Sequence, residues 1–232
     1  MDNTKAESKE FEDNKNLGEY RIDYKEIPLK IEDFLDCPFQ MFKIWYEAAK
    51  SYENDIDVNC MALATCGIDG MPSLRCVLMR EFDENGFVFY THFDSKKGKQ
   101  IDENPNVSVV FYWPRSHRQI RIEGKVEKVS DDMLEKCFNA RRTWFKVSET
   151  LSPQSEVINS KEELLGKMKA LERKVEEEGL VLSKQANFGG YRIVASSYEF
   201  WQGQSSRFHD RFLYSCVQKG DEKSWRKDIL AP

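Results

Sequence analysis

No apolar run in these 232 residues approaches the roughly 18–20 needed to cross a bilayer. The opening stretch, MDNTKAESKEFEDNKNLGEY, has no apolar centre and is rich in acids, so neither a secretory signal nor a typical transit peptide is expected. Histidine is scarce, with three residues at 92, 117 and 209. No two of the six cysteines (37, 60, 66, 76, 137 and 216) have C-x-x-C spacing, so no zinc pattern can be assembled. Unpaired thiols in a reducing compartment are expected instead, with the cytosol as location. Basic residues are not in excess: 35 Lys and Arg against 40 Asp and Glu give a net charge of −5. A generic nucleic-acid binder needs the opposite balance. The phosphate loops G-x-x-x-x-G-K-[ST] and G-x-G-x-x-G are missing, and so is the G-x-S-x-G nucleophile elbow.

Aromatic side chains are abundant: 15 Phe, 9 Tyr and 5 Trp argue for a sizeable core rather than a disordered chain. Residues 1–19 lack such anchors and read as a disordered tail, leaving residues 20–232 as a single domain. Pro38 opens a helix with Phe39, Phe42, Trp45, Tyr46 and Ala49 on one stripe. From Cys60 to about Lys128 the pattern turns to strands: CMALATC, SLRCVLMREF, FVFYTHF, NVSVVFYW and RQIRIEGKVEKV. Asp69-Gly70 and Asn85-Gly86 supply turn chemistry between them, and a short helix SKKGKQIDEN follows Asp94. Hairpin-linked strands predict an antiparallel sheet curling into a barrel, hence a mainly β (α+β) fold with flanking helices. Ser130 starts a further helix, residues 141–155 read as irregular, and residues 160–178 form a helix expected to pack on the barrel. YRIVAS, YEFWQG and DRFLYSCV read as closing strands.

Cationic residues sit inside or beside the apolar strands: Arg75, Lys96, Lys97, Arg118, Arg121, Arg207 and Arg211. Burying a guanidinium is costly unless it meets an anion. Arginines from several strands can therefore converge on a phosphate, whose geometry they match bidentately. The competing reading is that each snorkels or pairs with one of the acids. Trp201 is likewise open between core packing and stacking on a cofactor. From these residues alone follows an antiparallel barrel suited to a phosphorylated, aromatic small molecule.

Larger motifs carry a resemblance. RxVLM at Arg75–Met79, GFVFYTxFxSxKG at Gly86–Gly98, FYWxxxxRQIRIEGKVE at Phe111–Glu127, FGGYR at Phe188–Arg192 and EFWQGxxxRxHDRFLY at Glu199–Tyr214 resemble the pyridoxine (pyridoxamine) 5′-phosphate oxidase family from about Arg21 to Pro232. The resemblance implies a split β-barrel that binds FMN, built as a homodimer with flavin at the subunit interface. It implies oxidation of pyridoxine or pyridoxamine 5′-phosphate to pyridoxal 5′-phosphate, with O2 reduced to H2O2. Carried over, it assigns the cofactor to the run Arg75, Cys76, Val77, Leu78, Met79 and Arg80, and to Tyr90, Thr91, Lys96, Lys97, Gln154 and Ser155. Gln119, Trp201 and Arg211 fall around the flavin ring. Arg207 and His209 are the catalytic pair that holds the pyridine ring, and Arg21 and Tyr24 cover the substrate.

The departures from the pattern are local. The family grips the substrate phosphate with a Lys, a Tyr, an Arg and a Ser, and here those positions are Arg80, Cys137, Arg141 and Phe145. The family's Arg-Pro pair reads Arg141-Arg142. Hydrogen bonds to charged groups contribute roughly 1.5–3 kcal/mol each. Two lost hydroxyl donors therefore correspond to roughly two to four powers of ten in affinity. Three readings follow: a working oxidase with a repacked phosphate pocket, a weak or inactive relative that binds FMN or pyridoxal phosphate, and a flavin oxidoreductase with another substrate.

Overall fold

A computed structural model describes residue 24 and residues 28–206, 208–220 and 222–232. The tail expected over residues 1–19, Arg21 and Arg207 lie outside the described residues. One antiparallel sheet dominates. It contains β1 (Cys60–Cys66), β2 (Pro72–Leu78), β3 (Glu81–Asp83), β4 (Gly86–His92), β5 (Asn106–Trp113), β6 (Arg118–Lys128), β7 (Phe188–Gln202), β8 (Asp210–Lys219) and β9 (Glu222–Ile229). The order is β2-β1-β5-β6-β7-β4-β3, with β8 added to β7 and β9 to β8. The two ends of the path, β2 and β3, share no ladder, so the curled sheet stays open and the barrel is split.

The core lies on the sheet's inner face and is closed by α1 (Pro38–Tyr52). Its helical spacing buries Met41, Phe42, Trp45 and Ala49, while Phe39 and Tyr46 of the expected stripe end half-buried at its flank. Trp45 meets Phe200 edge-on at 5.2 Å, and Phe42 meets Phe87 at 4.8 Å and Phe111 at 5.3 Å. Each such ring, taken from water, contributes about 1.5–3 kcal/mol. Turn chemistry works as read: Gly70 takes φ +74° and Asp69 accepts the Met71 N–H at 3.0 Å. The six cysteines are free.

Several expectations need correction. SLRCVLMREF is not one strand; the chain leaves β1's partner after Leu78 and re-enters the sheet on its far edge as β3. YRIVAS and YEFWQG are two halves of one fifteen-residue strand, β7. Their junction sits at a β-bulge: Glu123 pairs with Ser197 and Gly124 with Ala195, leaving Ser196 over. The tail SWRKDILAP begins inside a ninth strand. Residues 141–155 are not irregular, because Thr143–Leu151 forms a helix, α4. Only Val147 of α4 is buried, so no apolar stripe betrays it. The helix of 160–178 is there as α5 (Lys161–Glu177), but it buries no residue and packs against α4 rather than the barrel. The remaining helices are α2 (Lys96–Glu103) and α3 (Asp131–Asn139), each opened by a serine whose side chain accepts an N–H of the first turn.

A Cβ on Gly124 would stand 2.1 Å from the Val194 carbonyl across the bulge. Gly124→Ala is predicted to lose about 1–3 kcal/mol of stability by overpacking. Denaturant titration checks this, and an unchanged midpoint would show that the bulge has slack.

Candidate active site

Expected site residues gather in three places. The first is the end of β4, where α2 begins. Ser95 caps α2 and also donates to the His92 carbonyl at 2.7 Å, and Gly98 lets the helix approach so closely that a Cβ would be 2.2 Å from the Phe93 carbonyl. This fixes Lys97 in the first turn. Its Nζ donates to Thr91 Oγ1 at 2.9 Å and to Gln154 Oε1 at 2.8 Å. Arg75, from β2, donates to Thr65 Oγ1 at 2.6 Å and to the Leu63 carbonyl at 3.1 Å, and Thr65 in turn donates to Gln100 of α2. Burial and the nearby Arg75 guanidinium lower the Lys97 ammonium to about 8, against a weaker pull from Glu149; burial also lowers Arg75. Neither cation forms an ion pair among the described residues. Two half-buried cations that repel each other, with neutral oxygens as their partners, suit an incoming phosphate dianion. Lys96 is exposed and lines a shallow neighbouring cleft with Gln154 and Ser155.

The second place is a cleft of about 370 Å³ between the β3–β4 edge and the α3–α4 corner. Arg80, Tyr90, Cys137, Arg141, Arg142 and Phe145 all face it. Within the run 75–80, Met79 is instead buried in the core, Cys76 is exposed, and Val77 and Leu78 are half-buried. Tyr90 donates to Glu81 at 2.8 Å, and burial together with that carboxylate raises its phenol. Two residues outside the expected site set, Glu149 and His92, are linked to the cleft through Arg141. Glu149 of α4 pairs with Arg141 at 2.7 Å and with His92 Nε2 at 2.6 Å. Burial works against the Glu149 carboxylate, but His92 and Arg141 hold it below the usual range. A helix over 143–151 was the signal that would have found it, since it turns Glu149 back toward Arg141.

The third place lies on the far half of the sheet. Gln119 of β6 pairs with Trp201 of β7, and Trp201 with Arg211 of β8, so the three expected ring contacts form one cross-strand rung. Arg211 donates to Glu199 at 2.8 Å and to the Ala231 carbonyl at 2.8 Å. Glu199 is 4% exposed; burial opposes its charge, but Arg211 and Arg121 hold it ionised. Tyr24 packs against His117 (4.4 Å), His209 (5.9 Å) and Trp201 (6.0 Å). Gly203 makes room, since a Cβ there would come within 2.8 Å of the Tyr24 ring. His209 Nδ1 accepts the Gln204 N–H at 3.0 Å, which puts the proton of the neutral ring on Nε2 and makes that nitrogen the donor.

The first two places adjoin, whereas the third is remote from them within the chain. Thr91 pairs with Gly189 near the start of β7, and Trp201 lies twelve residues further along the same strand. At about 3.3 Å per residue that is about 40 Å of strand.

The chain matches the family model described as pyridoxamine 5′-phosphate oxidase over residues 51–181. Residues 188–232 match the pyridoxine 5′-phosphate oxidase C-terminal dimerisation region. A pyridoxine/pyridoxamine 5′-phosphate oxidase of Bombyx mori is 40% identical, covering 94% of this chain and 90% of its own. One from Trichormus variabilis is 38% identical, covering 94% of this chain and all of its own. Among solved structures, PhzG from Burkholderia lata in complex with tetrahydrophenazine-1-carboxylic acid superposes with a TM-score of 0.80 at 27% identity, covering 89% of this chain and 99% of that one. An FMN-binding protein of Nostoc punctiforme related to pyridoxamine 5′-phosphate oxidase shares the fold at TM-score 0.66 and 17% identity, covering 86% of this chain and all of that one.

An anion bound at Arg75 and Lys97 raises the Lys97 ammonium from its depressed value, so above about pH 8 binding must take up a proton. The affinity of a phosphate monoester is predicted to fall by up to about tenfold per pH unit above that point. Lys97→Arg, which stays charged, should flatten the profile. Equilibrium titration across the range checks both, and a flat wild-type profile would put Lys97 outside the anion site.

Proposed function

The chain belongs to the pyridoxamine 5′-phosphate oxidase family, and from that premise we propose that it is an FMN-dependent oxidase converting pyridoxine or pyridoxamine 5′-phosphate to pyridoxal 5′-phosphate, with O2 reduced to H2O2. The observation that carries the flavin is the Arg75–Lys97 pair, two cations with no carboxylate between them. Lys97, Thr91, Gln154 and Arg75 would hold its phosphate, and Gln119, Trp201 and Arg211 would flank its ring. Flavin, when bound, supplies the hydride acceptor that no side chain can.

The chain's own residues do the positioning. Arg211, braced by the buried Glu199, offers a fixed positive charge beside the ring rung, where charge develops on reduction. His209 presents its Nε2 proton to the substrate, and with Arg207 it would hold the pyridine ring flat. Tyr24 lies over His209 and Trp201 and excludes water from that side. The cleft lined by Arg80, Arg142 and the Glu149-paired Arg141 would take the substrate's phosphate.

Phosphate cradle and ring rung belong to one site only if two chains contribute, because about 40 Å of β7 separates them in one chain. We therefore read the protein as a homodimer with FMN at its interface. The match of residues 188–232 to a dimerisation region, which carries Trp201, His209 and Arg211, supports this. Six free thiols support work in a reducing compartment, the cytosol. Among the described residues no helix is long and apolar enough to cross a membrane.

The purified protein should be yellow and should form the aldehyde and peroxide from pyridoxine 5′-phosphate under air. A colourless protein that takes up no added FMN would refute the reading. Lys97→Ala and Trp201→Ala should each lose most activity. Co-expressed, they should recover about a quarter of the wild-type sites, because each mixed dimer assembles one intact site. No recovery from proven mixed dimers would place both halves in one chain.

A further inference from the structure

The phosphate cleft has lost hydroxyl donors but gained a cation, and its charges are unequally engaged. Arg141 is the only expected group kept there, and it is already committed. Its guanidinium is paired with Glu149 at 2.7 Å, both side chains being mostly buried at 15% and 20% exposure. Its faces lie against the rings of Phe188 (5.0 Å), Phe145 (5.6 Å) and Tyr90 (6.0 Å). Phe145 thus fixes Arg141 instead of contacting an anion itself. Tyr90 cannot replace the missing hydroxyls, because its proton is engaged with Glu81. By contrast, Arg80 and Arg142 face the same cleft and form no ion pair among the described residues. Arg142 is also the N-cap of α4, whose first N–H groups lack helical partners and add positive potential there.

Resting on the oxidase reading above, we propose that Arg142, together with Arg80, is the specificity-determining contact for the substrate's phosphate in this chain, because Glu149 has withdrawn Arg141's charge from that role. A phosphate dianion entering the cleft meets two guanidinium groups, unpaired among the described residues, from the α3–α4 corner and the β3–β4 edge. Arg142 directly follows Arg141 in the chain and faces the same cleft, so the phosphate contact lies one residue further along. Glu149 acts as an internal competitor: its carboxylate occupies Arg141 nitrogens that a phosphate would otherwise reach.

The test is calorimetric titration of the flavin-loaded full-length protein with pyridoxal 5′-phosphate and, separately, with pyridoxal. Arg142→Ala is expected to weaken the phosphorylated ligand tenfold or more while leaving pyridoxal and flavin content unchanged, and Arg142→Lys should recover part of the loss. Glu149→Gln, which keeps the shape but removes the charge, should tighten pyridoxal 5′-phosphate several-fold. Wild-type-like affinity in Arg142→Ala, or weaker binding in Glu149→Gln, overturns the proposal. If the wild type turns substrate over normally but Arg142→Ala binds unchanged, only this inference fails. If wild type binds pyridoxal 5′-phosphate through Arg142 yet forms no product, the oxidase reading fails and the phosphate site stands.

Discussion

Arg75 and Lys97 are held where each makes the other's charge more costly. A folded chain normally resolves such a conflict by placing a carboxylate between the two cations. Here the surrounding acceptors are uncharged: Thr65, Thr91, Gln154 and a backbone carbonyl. The conflict is maintained by packing. Gly98 brings α2 against the end of β4, and Thr65 and Gln100 tie β1 to α2, so neither cation can swing out to solvent without breaking buried hydrogen bonds. The remaining architecture serves this pair, since the open sheet supplies strands that meet at one corner and the turn after α4 delivers Gln154 from outside.

A second arrangement adjoins it. His92 and Thr91 are consecutive on β4, so one side chain reaches Lys97 and the other Glu149. Through Glu149 and Gln154 the same chain segment, α4 and the turn after it, touches both candidate anion sites. Arg141 and Glu149 also balance one another's charge where both side chains are mostly buried.

Much of this could be read in the sequence, for identifiable reasons. Alternation along RQIRIEGKVEKV and the Asp69-Gly70 turn follow local rules, and the strands formed where those rules put them. Arginine within SLRCVLM marked a candidate anion position, with snorkelling or acid pairing as the competing reading, and the partners found for Arg75 are neutral oxygens. What stayed hidden was non-local. The split of SLRCVLMREF between opposite edges of the sheet leaves no local trace. The bulge at Ser196 makes one strand look like two. Glu149 was invisible because α4 buries only Val147 and its partners, Arg141 and His92, are recognised only after folding. The remoteness of Trp201 from Thr91 follows from register alone, which no motif encodes.

β7 carries consequences for how such a chain can change over time. It carries candidate site residues near its end and pairs with Thr91 near its start, and its successive side chains point to opposite faces of the sheet. One inserted or deleted codon in it would turn Trp201 to the opposite face of the sheet and shift its spacing from Gly189, the partner of Thr91. Length changes should therefore accumulate in the α5 region, which buries nothing and aligns nothing, while this strand drifts only by substitution.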